Sequence, residues 1–361
     1  MNFLSDKHFR KIAVHLITFK NHRIQYRLKK NQITLLDLFD MNDRQLRHLG
    51  FSQSEITELK SNYKKIAERE IQLCIENGIE LIFTEDEHYP ELLMEIFDPP
   101  EFIYSRGDKS VLKSKKIAVV GSRAATPYGR NVVERLIPEL SRAGLTVVSG
   151  MAYGIDSWSQ HLAMKAEGKT IGVNAGGLLN LYPAGNRSLI NNILSHGCII
   201  SEFPLETVPR PFFFPIRNRI IAGLVPVVLV IEAALKSGSL VTARLALEQN
   251  RDVFAVPGPI NAPLSQGTND LILHGAKLVR CARDIFEEYG IEFKNKKNRE
   301  LDHLSLKEKR ILDLLDTNEV KGIDYFVENL DFSVSEIISL LMGMVLKKII
   351  IQDTGGYKKL S

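Results

Sequence analysis

No run of about 18 apolar residues occurs in the chain, so the sequence offers no simple membrane-spanning helix. The first residues, Met1 to Lys11, lack the apolar stretch of a secretory signal. Cysteine is scarce: Cys74, Cys198 and Cys281 stand far apart, make no metal-ligand spacing and fit a reducing, cytoplasmic setting. There is no Walker A loop, no Ser-His-Asp set and no histidine pair at metal spacing, since His161, His196 and His274 are isolated. Glu202, Glu232 and Glu248 are not paired as a general acid and base would be. The sequence therefore demands neither a catalytic reaction nor a cofactor or metal.

At 361 residues the chain is long enough for two or three domains with at least one large core. Its net charge of +4 permits an acidic partner without requiring one. The distribution says more. Between Ile117 and Arg280 there are 11 Arg and 4 Lys against 10 acidic residues, whereas the flanks favour Lys. Arginine is the cation suited to planar, bidentate contact with phosphate or carboxylate.

Up to about Tyr63 the chain reads as short helices: LLDLFD, NDRQLRHLG and SEITELKS, with Gly50 as a C-cap and Ser52 with Glu55 as a capping box. This bundle resembles helix-hairpin-helix or sterile-alpha-motif modules. A helix over 64–77 and a strand at IELIFTED follow. A proline-bearing connector with one short helix then runs to a boundary near Gly107. From Lys116, the runs KIAVV, LTVVS, TIGVNA, CIIS, PVVLVIE, VFAV and AKLV alternate with amphipathic stretches, the pattern of an α/β doubly wound, mostly parallel sheet. The expected domains are an N-terminal helical part (1–106), the α/β part (107–290), a charged linker (291–303) and a C-terminal part (304–361). In the last, three helices and a β-wing give the winged-helix layout.

The α/β part is organised around FPIRNRIIAGL, Phe214 to Leu224. Pro215 rigidifies the entry, and Arg217, Asn218 and Arg219 open a helix, which suits an anion such as phosphate. Alternatively, Arg217 and Arg219 pair with carboxylates such as Glu202 and Glu232 and hold the fold. Four strand-to-helix junctions carry similar chemistry. VGSRAATPYG offers Gly121 and Ser122 amides and the Arg123 fork, without the paired glycines of a dinucleotide loop. SGMAYGID offers Gly150 and Gly154, with Asp156 in a structural role. SGSLVTARLALE places Ser237, Gly238 and Ser239 at a helix start, just after Lys236. In YPAGNRSL, Asn186 is the expected cap, with Arg187 in the first turn beyond it. Together these junctions define a basic, amide-lined groove. Phe212, Phe213 and Phe214 lie beside the arginines, where they could stack bases or pack in the core.

As a set, VGSR, SGMAYGID, FPIRNRIIAGL, SGSLVTA, FAVPGPI and SQGTNDLILHGAKLV resemble the bacterial DNA processing protein A family, DprA or Smf, most strongly from about Tyr89 to Val279. The resemblance implies an extended Rossmann-like fold in a non-enzymatic protein. Such a protein binds and protects single-stranded DNA during natural transformation, forms a homodimer and loads RecA. It assigns DNA contact to Arg123 and to Arg217, Asn218 and Arg219. Many members carry a lysine after the Tyr-Pro step. Ala184 stands there in this chain, and Arg187, three residues on, is the candidate substitute. The implied dimer surface includes Ile272, Leu273 and Leu278, and the implied RecA-facing patch lies near Arg244, Leu247 and Asp252.

Two other readings compete. SGSLVTARLALE superficially resembles the loop of nucleoside-monophosphate phosphoribohydrolases, with Glu248 as the acid, although their Pro-Gly-Gly-x-Gly-Thr pattern is missing. A winged-helix transcription factor would read duplex DNA, but VSEIISLLMGMVL contains no Lys or Arg, unlike a major-groove helix.

Overall fold

The structure, a computed structural model, describes residues 4–19, 21–291, 304–315, 319–347 and 349–359. The described residues form two compact units, Met1–Tyr289 and Gly290–Ser361. The expected linker falls largely outside the described residues.

The first unit is built on a nine-stranded sheet. Its strands are β1 (Ile79–Phe83), β2 (Phe102–Gly107), β3 (Lys116–Val120), β4 (Thr146–Ser149), β5 (Thr170–Val173), β6 (Gly197–Ser201), β7 (Val227–Val230), β8 (Asp252–Ala255) and β9 (Lys277–Leu278), in the order β1-β2-β6-β5-β4-β3-β7-β8-β9. From β6 to β9 every pairing is parallel, and β1 and β2 add an antiparallel edge. The short, mainly apolar runs read in the sequence are the parallel strands. The central ones, such as β3 and β7, are buried on both faces, so they show no alternation of apolar and polar residues. From β3 the chain steps outward through β4, β5 and β6, then returns to lay β7 on the other side of β3. The order reverses there, and a crevice opens beyond the carboxyl ends of β3 and β7.

Expected as connector, residues 102–107 instead form β2. Pro99 and Pro100 end before the strand begins, so they do not interrupt its ladder. Phe102 and Tyr104 pack on one face of the sheet and Ile103 on the other, the period of two that a strand imposes.

The helical bundle comprises α1 (Asp6–Phe19), α2 (His22–Lys30), α3 (Asp43–Leu49), α4 (Gln53–Thr57) and α5 (Tyr63–Glu76). Asn42 and Ser52 close capping boxes with Gln45 and Glu55, and Gly50 ends α3 in the left-handed region at φ 101°. Ile12 of α1 and Ala67, Ile71 and Cys74 of α5 share one core with Phe83, Phe102 and Tyr104 of the sheet. The bundle therefore shares one core with the α/β part and keeps a second core of its own around Leu38, Leu46 and Leu59. The short α6 (Glu91–Met94) packs on the opposite face of the sheet. Along the α/β part follow α7 (Pro127–Arg142), α8 (Ile155–Lys165), α9 (Arg187–His196), α10 (Phe213–Gly223), α11 (Gly238–Glu248), α12 (Gln266–Leu273) and α13 (Ala282–Glu288).

In the second unit, α14 (Leu306–Asp313), α15 (Ile323–Asn329) and α16 (Val334–Leu346) precede an antiparallel hairpin of β10 (Ile350–Asp353) and β11 (Gly356–Lys359). Its own core gathers Ile311, Phe326, Ile337, Leu341, Met344, Ile350 and Tyr357. No single helix among the described residues is long and apolar enough to cross a membrane.

Candidate functional site

A cavity of about 470 Å³ occupies the crevice at the β3/β7 reversal. One wall is the β3–α7 loop with Gly121, Ser122 and Arg123. It interlocks with the β4–α8 loop, where Ile155 N donates to Ser122 O at 3.1 Å. The approach is so close that a Cβ on Gly121 would lie 2.7 Å from Ile155, and one on Gly154 only 2.2 Å from Ser122 O. Gly154 also sits at φ 79°, where glycine is favoured.

The β3–α7 loop is anchored from below by Glu232, which follows β7 and is buried. Its carboxylate accepts from Thr126 N at 3.0 Å and from the Thr126 hydroxyl. Thr126 Oγ1 in turn accepts from Gly129 N and caps α7, with Pro127 at the first helical position. Glu232 thus holds a loop instead of pairing with the arginines. A Thr-Pro step at a helix start is a cap signal that the sequence reading above did not use, whereas the Glu232 contact spans two strands and has no local signal.

The opposite wall is α10. Arg217 is only 4% exposed. Its Nη1 donates to Gly150 O at 2.8 Å and to Val173 O, and its Nε donates to Asn218 Oδ1 at 3.1 Å. Nη2 is left without a protein partner, and Arg217 lines the cavity. Burial lowers its pKa to about 10, with Asp156 opposing and Arg123 adding to the shift, so it remains a cation at neutral pH. Arg123 is exposed, lies 5.1 Å from the Phe214 ring centroid, and has no carboxylate within ion-pair distance. Phe214 is therefore near two guanidinium groups, the Arg217 group being 5.9 Å away. Tyr182 meets Phe214 edge-on at 5.4 Å.

Asp156 lies under the cavity. Burial raises its carboxyl to about pKa 6, opposed by the Arg217 charge and by the bond from the Gly150 amide. Gly150 N donates to Asp156 Oδ2 at 3.1 Å. The expected structural role is thus accompanied by a titratable charge facing the site.

Ser237, Gly238 and Ser239 complete the cavity at the start of α11, where Ser237 Oγ accepts from Ser239 N. Asn218 closes the gap with a 3.4 Å bond to Gly238 O. Lys236 is exposed outside the lining.

Arg219 does not reach the groove. Residues two apart on a helix diverge by about 200°, so Arg219 turns to the far side of α10. There it binds Asp98 O at 2.8 Å and pairs with the Asp98 and Glu202 carboxylates. The carboxylate-paired alternative thus describes Arg219 but not Arg217. Arg187 is exposed in the first turn of α9 and lines a separate hollow with Arg106. Asn186 does not cap α9. Its side chain donates instead to Met151 O at 3.4 Å. Of the three phenylalanines only Phe214 lines the groove, while Phe213 is buried against Phe203. Ile272, Leu273 and Leu278 lie away from it, on α12 and the edge strand β9. No cluster of three or more potential metal ligands occurs among the described residues.

The fold and site define a Rossmann-like α/β protein with an amide-lined, arginine-bearing crevice at the strand-order reversal. Residues 80–290 match the profile of the DNA recombination-mediator protein A family, and the chain belongs to that family. It is 45% identical over 232 residues to DNA processing protein DprA of Bacillus subtilis, covering 64% of this chain and 78% of that protein. It is 35% identical over 324 residues to protein Smf of Escherichia coli, covering 87% and 86%. The X-ray structure of DprA from Streptococcus pneumoniae superposes with a TM-score of 0.58 at 36% identity, over 74% of this chain and 97% of that one. A Helicobacter pylori DprA structure, described for its single-stranded DNA binding mode, gives 0.53 at 32% identity, over 58% and 95%.

Proposed function

We propose that this chain binds single-stranded DNA in the groove and acts as a recombination mediator that passes the strand to RecA. The observation that carries this reading is the Arg123–Phe214–Arg217 arrangement. Two guanidinium groups, one with an unused Nη2, stand near an aromatic face at an amide-lined crevice. Phosphates would take the charged donors and the amides of Gly121, Ser122 and Ser237 to Ser239, while a base stacks on Phe214. Arg187 and Lys236 are exposed cations available to a strand that leaves the groove. The binding mode described for the H. pylori relative supports the same ligand. Duplex DNA is the weaker candidate, because α16, the helix a winged-helix reading would place in a major groove, carries no cation.

The test is equilibrium binding of a fluorescent single strand of about 20–35 nucleotides and its duplex across a salt series. Steeply salt-dependent binding that favours the single strand, and that weakens in Arg123→Ala and Arg217→Ala, supports the proposal. Equal or absent binding to both ligands sinks it.

A phosphoribohydrolase reading would need Glu248 at the ligand. Glu248 is exposed at the last turn of α11, about 15 Å along the helix from Gly238, and its nearest cation is Arg244 at 3.5 Å.

We further propose a homodimer through the sheet edge at β9. Leu273 and Leu278 are exposed there beside a short strand whose outer ladder is unpaired. Leu278→Glu should yield a monomer in sizing with light scattering, and a persistent dimer would place the interface elsewhere. The RecA-facing patch is proposed on α11 and β8, near Arg244, Leu247 and Asp252. Leu247→Glu should impair RecA loading without changing strand affinity.

A further inference from the structure

A second cationic surface lies on the helical bundle. In α2, Arg23, Tyr26, Arg27 and Lys30 follow the spacing i, i+3, i+4, i+7 and so share one face of the helix. All four are exposed, Tyr26 by 66%. Ile24 and Leu28, on the other side, are buried in the bundle core. Helix α2 contains no acidic residue, and none of its three described cations has a carboxylate within ion-pair distance. Arg27 Nη1 donates to His48 O at 2.9 Å, which holds the guanidinium against the end of α3, beside the exposed Arg47.

This face works against the stability of the bundle. Arg23 and Arg27 repel at i, i+4, and Arg27 and Lys30 at i, i+3, with no counter-charge on the helix. An exposed tyrosine between such cations matches the stacking platform and electrostatic track of single-strand binding surfaces.

The bundle also packs against the start of the helix that lines the groove. Phe19, at the end of α1, packs on Phe203 at 5.6 Å and on Phe213 at 5.7 Å. Phe213 begins α10, whose groove-lining face carries Phe214 and Arg217, and just before it Arg210 and Phe212 are exposed. Helix α2 thus belongs to a bundle that packs beside the start of α10, near the exposed Arg210 and Phe212 in sequence.

We propose that the basic face of α2 is a second contact for the same single strand, engaged once the strand is long enough to leave the groove past Phe212. This rests on the groove reading above. The chemistry recognised is sugar-phosphate backbone with an unpaired base on Tyr26, without sequence preference.

The test uses the full chain, a short strand of about 8 nucleotides and a long one of about 30. Arg23→Glu/Arg27→Glu/Lys30→Glu is compared with wild type, and the matching Gln triple variant removes charge without adding any. Both triple variants should weaken the long strand, by about tenfold or more for Glu, and leave the short strand unchanged. Three lost phosphate contacts should flatten the log-log salt slope of the long strand by about 2. Tyr26→Ala should weaken the long strand without changing that slope. Long-strand affinity and slope equal to wild type in both triple variants would overturn the proposal. So would unchanged strand binding with lost binding to phosphatidylglycerol vesicles, which would give the face to a lipid surface.

Arg123→Ala reports on the groove separately. It weakens both strands if the groove reading holds. If it weakens neither, the groove reading fails, and a long-strand loss in the α2 variants still upholds a strand contact there.

Discussion

The guanidinium of Arg217 and the backbone of Gly150 are in direct contact: Nη1 donates to Gly150 O at 2.8 Å, and a Cβ on Gly150 would lie 2.5 Å from Nη2. A side chain at this position would compete with the guanidinium for space. Gly150→Ala should therefore dislodge the arginine and reproduce the Arg217→Ala phenotype, a loss of about 1–3 kcal/mol in strand binding. Fluorescence titration checks this, with urea unfolding to confirm that the variant is folded.

Arg217 and Arg219 should separate cleanly by phenotype. Arg217→Ala should reduce strand affinity. Arg219→Ala removes its pairs with Asp98 and Glu202 and should lower unfolding stability by about 3 kcal/mol, while the folded variant binds the strand as before. Denaturant midpoints and titrations on the two variants decide it. Equal effects on binding would place Arg219 at the ligand after all.

Acid should tighten strand binding through Asp156. Its carboxyl is raised from 3.8 to about 6, so lowering the pH through about 6 neutralises the charge beneath Arg217 and leaves that cation less compensated. Affinity should rise from pH 7 to pH 5, and Asp156→Asn should flatten this dependence and bind more tightly at pH 7. The same shift makes the fold lose stability as pH rises from about 4 to about 6, because the folded state holds the proton more firmly than the unfolded chain.

His15 acts in the opposite sense. Burial in the Phe19, Phe102 and Tyr104 cluster lowers its pKa from 6.5 to about 4. The unfolded chain therefore takes up this proton first, and stability is lost as pH falls from about 6.5 to about 4, by up to about 3 kcal/mol. His15→Phe should remove that loss, visible as a higher urea midpoint at pH 4.5 relative to wild type than at pH 7.5.

The parallel strands were legible because burial on both faces leaves short apolar runs with few alternatives. The residue types of the site were legible for a related reason: glycine, serine and arginine at strand-to-helix junctions have few other uses in such number. Direction was not legible. Arg217 and Arg219 have equivalent chemistry in the sequence, and only the phase of α10 sends one to the groove and the other to Glu202. The same holds for Phe213 and Phe214. β2 escaped notice because Ser105 and Arg106 dilute its apolar run and two prolines stand just before it. The bond from Thr126 to Glu232 joins the loops of two strands that become neighbours only when the order reverses.

The burial of Arg217 has a thermodynamic consequence. A surface arginine gives up rotamer freedom when it grips a ligand, a loss of up to about 2 kcal/mol. Here two carbonyl oxygens and Asn218 already hold the guanidinium in place. That entropy is surrendered during folding, and the ordering penalty that remains on binding falls on the flexible polymer. Strands that are already stacked and extended should then be held more tightly than limp ones of the same length, a preference for stiffness and not for base sequence.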